Sequence, residues 1–169
     1  MFKSILVNNY NKFDNSSNPY NTPYFSSMLK ELEYSYDIDY FGYMNGDLLL
    51  HSSIVSTMKT VLTERRSLSN QNKIMLVGRR YNIKTTINDN YQSFSRSEYD
   101  SIIEKKTKFT DMFISVAIDL FIFSRGSLNY DDYIFSKLVI GRNKYDNYMI
   151  DYAIEKGISL VDISYGCKF

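Results

Sequence analysis

Short apolar runs alternate with stripes at helical spacing along this chain, and each spacing predicts its element. Phe2–Val7 reads as a short buried strand, followed by a polar loop, Asn8–Asn21, in which Asn18-Pro19 is a turn signal. Thr22-Pro23 has the form of a helix start, with Thr22 as N-cap and Pro23 in the first helical position. Tyr24, Phe25, Met28, Leu29 and Leu32 then repeat at helical spacing, and the helix should run to Tyr34. Asp39–Met44 predicts an aromatic strand that breaks at Asn45-Gly46, and a second helix follows from Ser52 or Ser53 on the stripe Ile54, Val55, Met58, Val61 and Leu62. Lys73–Val77 is a strand. Asn82–Ser97 is polar and unperiodic, a surface excursion, and Ser97–Lys106 is a modest helix with a capping serine. Ile118–Phe123 and Lys137–Ile140 read as strands closed by Gly126 and Gly141. Tyr145–Glu155 is a helix ended by Gly157, and Ser159–Ile163 is a last strand. The alternation predicts a layered α/β sandwich in one domain, residues 1–169, with no internal repeat and no splitting linker.

Composition removes whole classes of function. Aromatic residues make up 16% of the 169 residues, too many for a disordered chain. Lys+Arg 20 against Asp+Glu 19 leaves +1, so no global field gathers nucleic acid or anionic lipid. The one cysteine, Cys167, has no internal disulfide partner, and the one histidine, His51, excludes a multi-histidine zinc site. Met1–Val7 is too short for a signal peptide. The longest apolar-rich run, Met112–Phe123, is interrupted by Ser115 and Asp119 and falls short of the roughly 20 residues that span a bilayer. The expectation is a soluble, cytoplasmic protein.

Candidate chemistry gathers at strand ends, where open α/β sheets bind their ligands. In Tyr43-Met44-Asn45-Gly46-Asp47, Asn45 and Asp47 are two residues apart on a leaving strand and can point the same way. A carboxylate with an amide oxygen beside it can hold a hard divalent cation, with a diphosphate completing the shell; the other reading of the same residues is a plain Asn-Gly turn. Around Gly141-Arg142-Asn143-Lys144-Tyr145-Asp146-Asn147 a strand meets a helix start. Asp146 there is either a base for an acceptor hydroxyl or a complement to the helix dipole, and Arg142 pairs either with phosphate or with a carboxylate. Asp119 leads an apolar strand and must be solvated, hydrogen-bonded or paired, and the structural account gives it Arg79, Arg80 or Arg142 as a partner. No Gly-x-Ser-x-Gly elbow, Walker loop or Gly-x-Gly-x-x-Gly occurs. His51 reads as a helix-start residue, and Lys105, Lys106 and Lys108 as a solvated helix end.

Taken in order, these segments resemble a family of nucleotide-diphospho-sugar glycosyltransferase-like proteins with the GT-A fold. The family's Thr-Pro helix start and aromatic strand with Asn-x-Asp are matched by Thr22-Pro23 and Tyr43–Asp47. Its Gly-Arg-Arg-aromatic segment is matched by Gly78-Arg79-Arg80-Tyr81, and its Asp-hydrophobic-Phe-hydrophobic-Phe strand with Arg-Gly by Asp119–Phe123 and Arg125-Gly126. The most specific piece, Gly-Arg-x-x-Trp-Asp-Asn-Trp, is similar to Gly141–Tyr148, with tyrosines for both tryptophans. The family's final hydrophobic-Ile-Asp-hydroxyl strand looks like Leu160–Ser164. The resemblance covers residues 22 to 164.

What it implies is a three-layer sandwich with a central mostly parallel sheet, GT-A-like and truncated at the amino terminus relative to full members, where a βαβ portion forms much of the nucleotide pocket. It also implies transfer of a sugar from a nucleotide-sugar donor to an acceptor hydroxyl with Mn²⁺ or Mg²⁺. Asp47 takes the place of the metal ligand and Asp146 that of the acid near the acceptor; Asn45, Arg79, Asp119, Arg142 and Asn147 take substrate-binding places. Family members carry histidines beyond the last strand, where this chain stops at Phe169. The rival expectation is a degenerate, non-catalytic relative that serves as a binding or interaction module.

Overall fold

The structure, a computed structural model, describes residues 24–68, 73–83, 94–108, 110–113, 117–141 and 144–168. The expected strand Phe2–Val7, the loop Asn8–Asn21, the Thr22-Pro23 helix start, most of the excursion within Asn82–Ser97, and Arg142 lie outside the described residues. The elements in chain order are α1 (Phe25–Ser35), β1 (Tyr40–Met44), α2 (Ser53–Leu68), β2 (Ile74–Gly78), α3 (Arg96–Thr107), β3 (Leu120–Ser124), a 3₁₀ turn (Phe135–Lys137), α4 (Tyr145–Glu155) and β4 (Ser159–Asp162).

The four strands form one sheet in the order β1-β3-β2-β4. The expected mostly parallel sheet is instead a mixed one. β3 pairs antiparallel with both β1 and β2, and β4 pairs parallel with β2. Three strands therefore share one direction and β3 is inserted among them in the other. In consequence the leaving ends of β1, β2 and β4 and the entering end of β3 meet at one edge, where Met44 and Gly78 both face Leu120.

The central strands β2 and β3 are buried along their whole length. Alternate residues serve opposite faces, as the two-residue period of a strand requires. Phe41, Met75, Val77, Phe121 and Phe123 pack with Phe25 and Leu29 of α1 and with Met149, Tyr152 and Ala153 of α4. Ile74, Leu76, Leu120 and Ile122 pack with Ile54 and Met58 of α2 and with Ile163 and Cys167. Helices thus cover both faces. Among the described residues no helix is long and apolar enough to cross a membrane.

Three boundaries differ from the sequence reading, each for a local reason. Lys137–Ile140 is not a strand of the sheet: only Val139 makes a bridge, to Tyr24. The run turns instead because Phe135, fully buried, stacks on Tyr152 at 5.0 Å between ring centroids and meets Phe25 edge-on at 6.4 Å. That same bridge starts α1 later than Thr22 would: Tyr24 is the N-cap without a side-chain cap, and the Phe25 N–H donates to the Leu138 carbonyl at 2.7 Å. The N-cap of α3 is Ser95 rather than Ser97. The Ser95 hydroxyl accepts from the Glu98 N–H while the Glu98 carboxylate accepts from the Ser95 N–H, a reciprocal capping box. Gly42 in β1 is required by a close approach, since a Cβ there would lie 2.4 Å from the Phe121 carbonyl oxygen of β3.

Candidate functional site at the shared sheet edge

Asp119 sits at the centre of the edge where the four strand ends meet. Its N–H donates to the Gly78 carbonyl and its own carbonyl accepts from the Asn45 N–H, both at 3.1 Å. The backbone is therefore anchored to both neighbouring strands one residue before β3 begins. The side chain is almost completely buried, at 4% exposure, and such a carboxylate needs compensation. Arg80 and Asn45 supply it: the Arg80 guanidinium donates to Asp119 Oδ1 at 2.6 Å and Asn45 Nδ2 to the same oxygen at 2.7 Å. Asp119 Oδ2 is buried with no hydrogen-bond partner among the described residues.

Each partner is itself held. The Arg80 guanidinium lies 4.1 Å from the Phe113 ring centroid and its Nε donates to Asn82 at 3.0 Å, while the Phe113 N–H bonds the Arg80 carbonyl. Asn45 Oδ1 accepts from two phenols, Tyr43 at 3.0 Å and Tyr145 at 3.2 Å. Burial first, and then the neighbouring charges of Asp47 and Asp119, push Tyr43 above the ordinary phenol range. Burial, Tyr43, Asp146 and Asp119 push Tyr145 well above it. Both phenols are protonated donors at neutral pH, so the orientation of the Asn45 amide is fixed.

The loop that carries Asp47 is tied down at both ends. Next to β1 the Leu48 N–H closes a turn on the Asn45 carbonyl at 3.3 Å, and Asp47 stands exposed in that turn. At the far end, Ser52 donates through its N–H at 3.0 Å and through its hydroxyl to Asp100 of α3, and Arg96 donates to the Leu50 carbonyl at 3.0 Å. The His51 N–H bonds the Lys168 carbonyl, and His51 Nδ1 accepts from the Ser53 N–H at 3.0 Å, which gives His51 the expected place at the start of α2.

The sequence-derived residues are distributed as follows. Asn45 and Asp119 are in direct contact, and Asp47 is on the same edge. Asp146 joins the edge through the backbone: its Oδ2 accepts from the Ile118 N–H at 3.4 Å and its Oδ1 from the Asn147 N–H at 2.9 Å. That pins α4 to the entry of β3, and the Asn147 side chain makes no hydrogen bond among the described residues. Arg79 is turned away from Asp119 and pairs with Asp162 at 3.5 Å, its N–H on the Ser164 hydroxyl at 2.9 Å. The cation in the cluster is Arg80. The site reading missed Tyr43 and Tyr145, and it offered Arg80 only as one of three structural partners for Asp119, the pairing that the structure shows. The signal available for Arg80 was its position one residue beyond Arg79, on the opposite side of an extended chain.

Fit to a divalent cation is limited. Among the described residues no three His, Cys, Asp or Glu side chains are gathered so that they could hold a metal ion. Asn45 Oδ1 is already committed to two phenols, which leaves Asp47 as a single exposed carboxylate. Such a donor set suits Mg²⁺ or Mn²⁺ arriving with a diphosphate and water, not an ion caged by protein. Comparison with family models, with curated proteins and with solved structures gives no match to this chain.

Proposed function

We propose that this chain is a GT-A-like domain, a three-layer sandwich whose shared sheet edge binds a nucleotide-sugar and transfers the sugar to an acceptor hydroxyl. The observation that carries the reading is the convergence at Asp119: strand ends from three parts of the chain deliver Asn45, Arg80 and Asp119 to one point, beside Asp47 and the Tyr145-Asp146 helix start. The order of the sequence motifs supports it independently.

In this function Asp47 would hold Mn²⁺ or Mg²⁺ together with the donor diphosphate, and the cation would supply Lewis-acid stabilisation of the leaving group. Arg80 balances the charge of Asp119 through its contact with Oδ1. Asp146, in the first turn of α4 against the entry of β3, orients or deprotonates the acceptor hydroxyl through a lone pair that its two backbone contacts leave open. Arg142 and Asn147 supply further substrate contacts in this scheme. Arg79 does so only if its pair with Asp162, both groups of which lie at the edge, opens.

One observation favours a second reading, a non-catalytic, degenerate relative that serves as a binding or interaction module. Both oxygens of Asp146 accept backbone N–H groups, which is what an acid recruited only to fasten a helix start would do. Calorimetric titration with UDP, GDP and their sugars, with and without Mn²⁺, tests the nucleotide site. Binding that strengthens with Mn²⁺ and is lost in Asp47→Asn is expected; no binding of any nucleotide ends the transferase reading and leaves the interaction module. Sugar transfer in wild type and in Asp146→Asn then separates enzyme from module, with a loss of about a hundredfold expected for an acid–base group.

A further inference from the structure

The segment that follows β4 is fastened at almost every residue, yet it holds one large ring in solvent. The Ile163 N–H donates to the Val77 carbonyl at 2.8 Å, and the Ile163 carbonyl closes a turn by accepting from the N–H groups of Gly166 at 3.0 Å and Cys167 at 3.2 Å. The Arg79 N–H donates to the Ser164 hydroxyl at 2.9 Å, and the Thr57 hydroxyl of α2 donates to the Gly166 carbonyl at 2.5 Å. Gly166 is held so closely that a Cβ there would lie 2.8 Å from the Thr57 methyl carbon. Ile163, Ser164 and Cys167 are buried, and Tyr165 among them is 84% exposed. A ligand that packs on this ring has little backbone to order, because the turn is already fixed.

The turn is tied to the candidate site by a single peptide unit. The Gly78 carbonyl accepts from the Asp119 N–H, and the Arg79 N–H of the same peptide donates to Ser164, the residue before Tyr165. In the strand order β1-β3-β2-β4, Asp47 follows β1 and Tyr165 follows β4, at the two ends of the shared edge. Three strand spacings, about 14 Å, separate those ends. With a donor diphosphate at Asp47 and Asp146 at the entry of β3 between the two ends, the ring falls on the acceptor's side of the reacting bond.

The surroundings of the ring narrow the chemistry of that acceptor. The Arg79 guanidinium lies 5.9 Å from the Tyr165 ring centroid, and its Nη2 lies 3.5 Å from the half-exposed carboxylate of Asp162. A flat apolar face is thus rimmed by one acceptor and one donor. A lipid tail has nothing to offer the rim. A sugar ring suits both parts: its C–H groups pack on the aromatic face, and its hydroxyls, which donate and accept, serve Asp162 and Arg79 alike.

We infer that Tyr165 is a stacking platform for the acceptor, and that the acceptor is itself a carbohydrate. The assignment to the acceptor rests on the nucleotide-sugar reading above.

The test keeps the two apart. Wild type, Tyr165→Ala and Tyr165→Phe are titrated with UDP and GDP, and separately with methyl glucoside, methyl galactoside, methyl mannoside, cellobiose and lactose, the saccharides being followed by saturation-transfer NMR. Tyr165 is on the surface, so both variants should keep the wild-type urea midpoint. At least one saccharide should bind wild type with its ring C–H protons the most saturated. Tyr165→Ala should weaken that binding by about five- to tenfold, the scale of an aromatic face contact. Tyr165→Phe should retain it, and nucleotide affinity should be the same in all three proteins. If no saccharide binds wild type, or if binding is unchanged in Tyr165→Ala, the inference is overturned, and nucleotide binding then decides the proposed function by itself. If UDP or GDP loses affinity in Tyr165→Ala, the ring serves the base and the inference is again overturned. If a saccharide binds through Tyr165 and no diphosphate binds, the transferase reading falls and takes the acceptor assignment with it, leaving a carbohydrate-binding module.

Discussion

Two buried carboxylates stand at opposite edges of the same sheet and are treated in opposite ways. Glu33 of α1, 6% exposed, lies at the edge where β3 ends; one oxygen accepts from the Gly126 N–H at 2.6 Å and the other from the Tyr130 hydroxyl at 2.5 Å. Every partner is neutral and both oxygens are used. Burial and then the hydrogen bond to Glu33 push Tyr130 far above the ordinary phenol range, so it remains a donor. Asp119, at the edge where β3 begins, has a full cationic partner, with two donors on one oxygen and, among the described residues, none on the other. Glu33 is what a carboxylate looks like when its task is to fasten a helix to a loop. Asp119 keeps one oxygen without a partner among the described residues, which fastening does not require, and that difference, rather than burial or charge alone, is what the proposed function builds on.

The largest effect should come from removing the cation. Arg80→Ala leaves Asp119 buried and uncompensated, and breaking a buried pair in this way costs about 3 kcal/mol or more. The check is the shift in urea midpoint, and adding Asp119→Asn to Arg80→Ala should recover part of the loss. If the double variant is as unstable as the sum of the singles, Arg80 is not there to balance Asp119. Next, Glu33→Ala should cost about 2 kcal/mol by leaving the Gly126 N–H and the Tyr130 hydroxyl unpaired. Nucleotide affinity should not move. A loss of affinity in Glu33→Ala would erase the functional distinction between the edges.

Much of this layout was legible in the sequence, for identifiable reasons. Strands β2 and β3 are short apolar runs bounded by polar residues and glycine, and α2 and α4 carry apolar stripes bounded by their caps; such patterns report burial, which is local to each segment. Asp119 was legible because a charge leading an apolar strand must be compensated somewhere. The direction of β3 was not, since strand polarity is decided by which ends the chain brings together and leaves no mark on the alternation of side chains. Nor was the choice of Arg80 over Arg79: adjacent arginines on an extended chain differ only in which side they face, and the register Gly78 with Leu120 decides that. Lys137–Ile140 misled because an apolar run of four residues is equally at home in a strand and in a turn packed on aromatic rings.

A smaller effect separates positioning from bulk packing at the ligand edge. Tyr145→Phe keeps the ring, which packs 6.1 Å from Phe25 and 6.3 Å from Tyr43, and deletes only the donor to Asn45. About 1 kcal/mol of stability should be lost, since Tyr43 still occupies Asn45 Oδ1. A loss several times larger would mean that the phenol carries the edge structurally, as Tyr130 does for Glu33.

The smallest effect lies in acid and concerns the loop that presents Asp47. Burial works against ionisation of Asp100, but the hydrogen bonds from the Ser52 hydroxyl and N–H, with the charges of His51 and Arg96, outweigh it and hold the carboxyl below its usual range. A carboxyl depressed on folding contributes stability above its unfolded-state pKa of about 4, and that contribution disappears as pH falls through the lower folded-state value. Stability should therefore decline as pH drops below about 4, with the 45–52 loop loosening from α3. Ser52→Ala removes the hydroxyl donor while leaving the N–H, so its folded-state pKa for Asp100 should rise toward the unfolded one. The variant should then be less stable than wild type at pH 7 and should lose less between pH 5 and pH 3, the two curves converging in acid. Thermal midpoints of both proteins across that range measure this. Parallel curves would mean that Ser52 does not hold Asp100, and that the loop is positioned by its Asn45 end and by Arg96 alone.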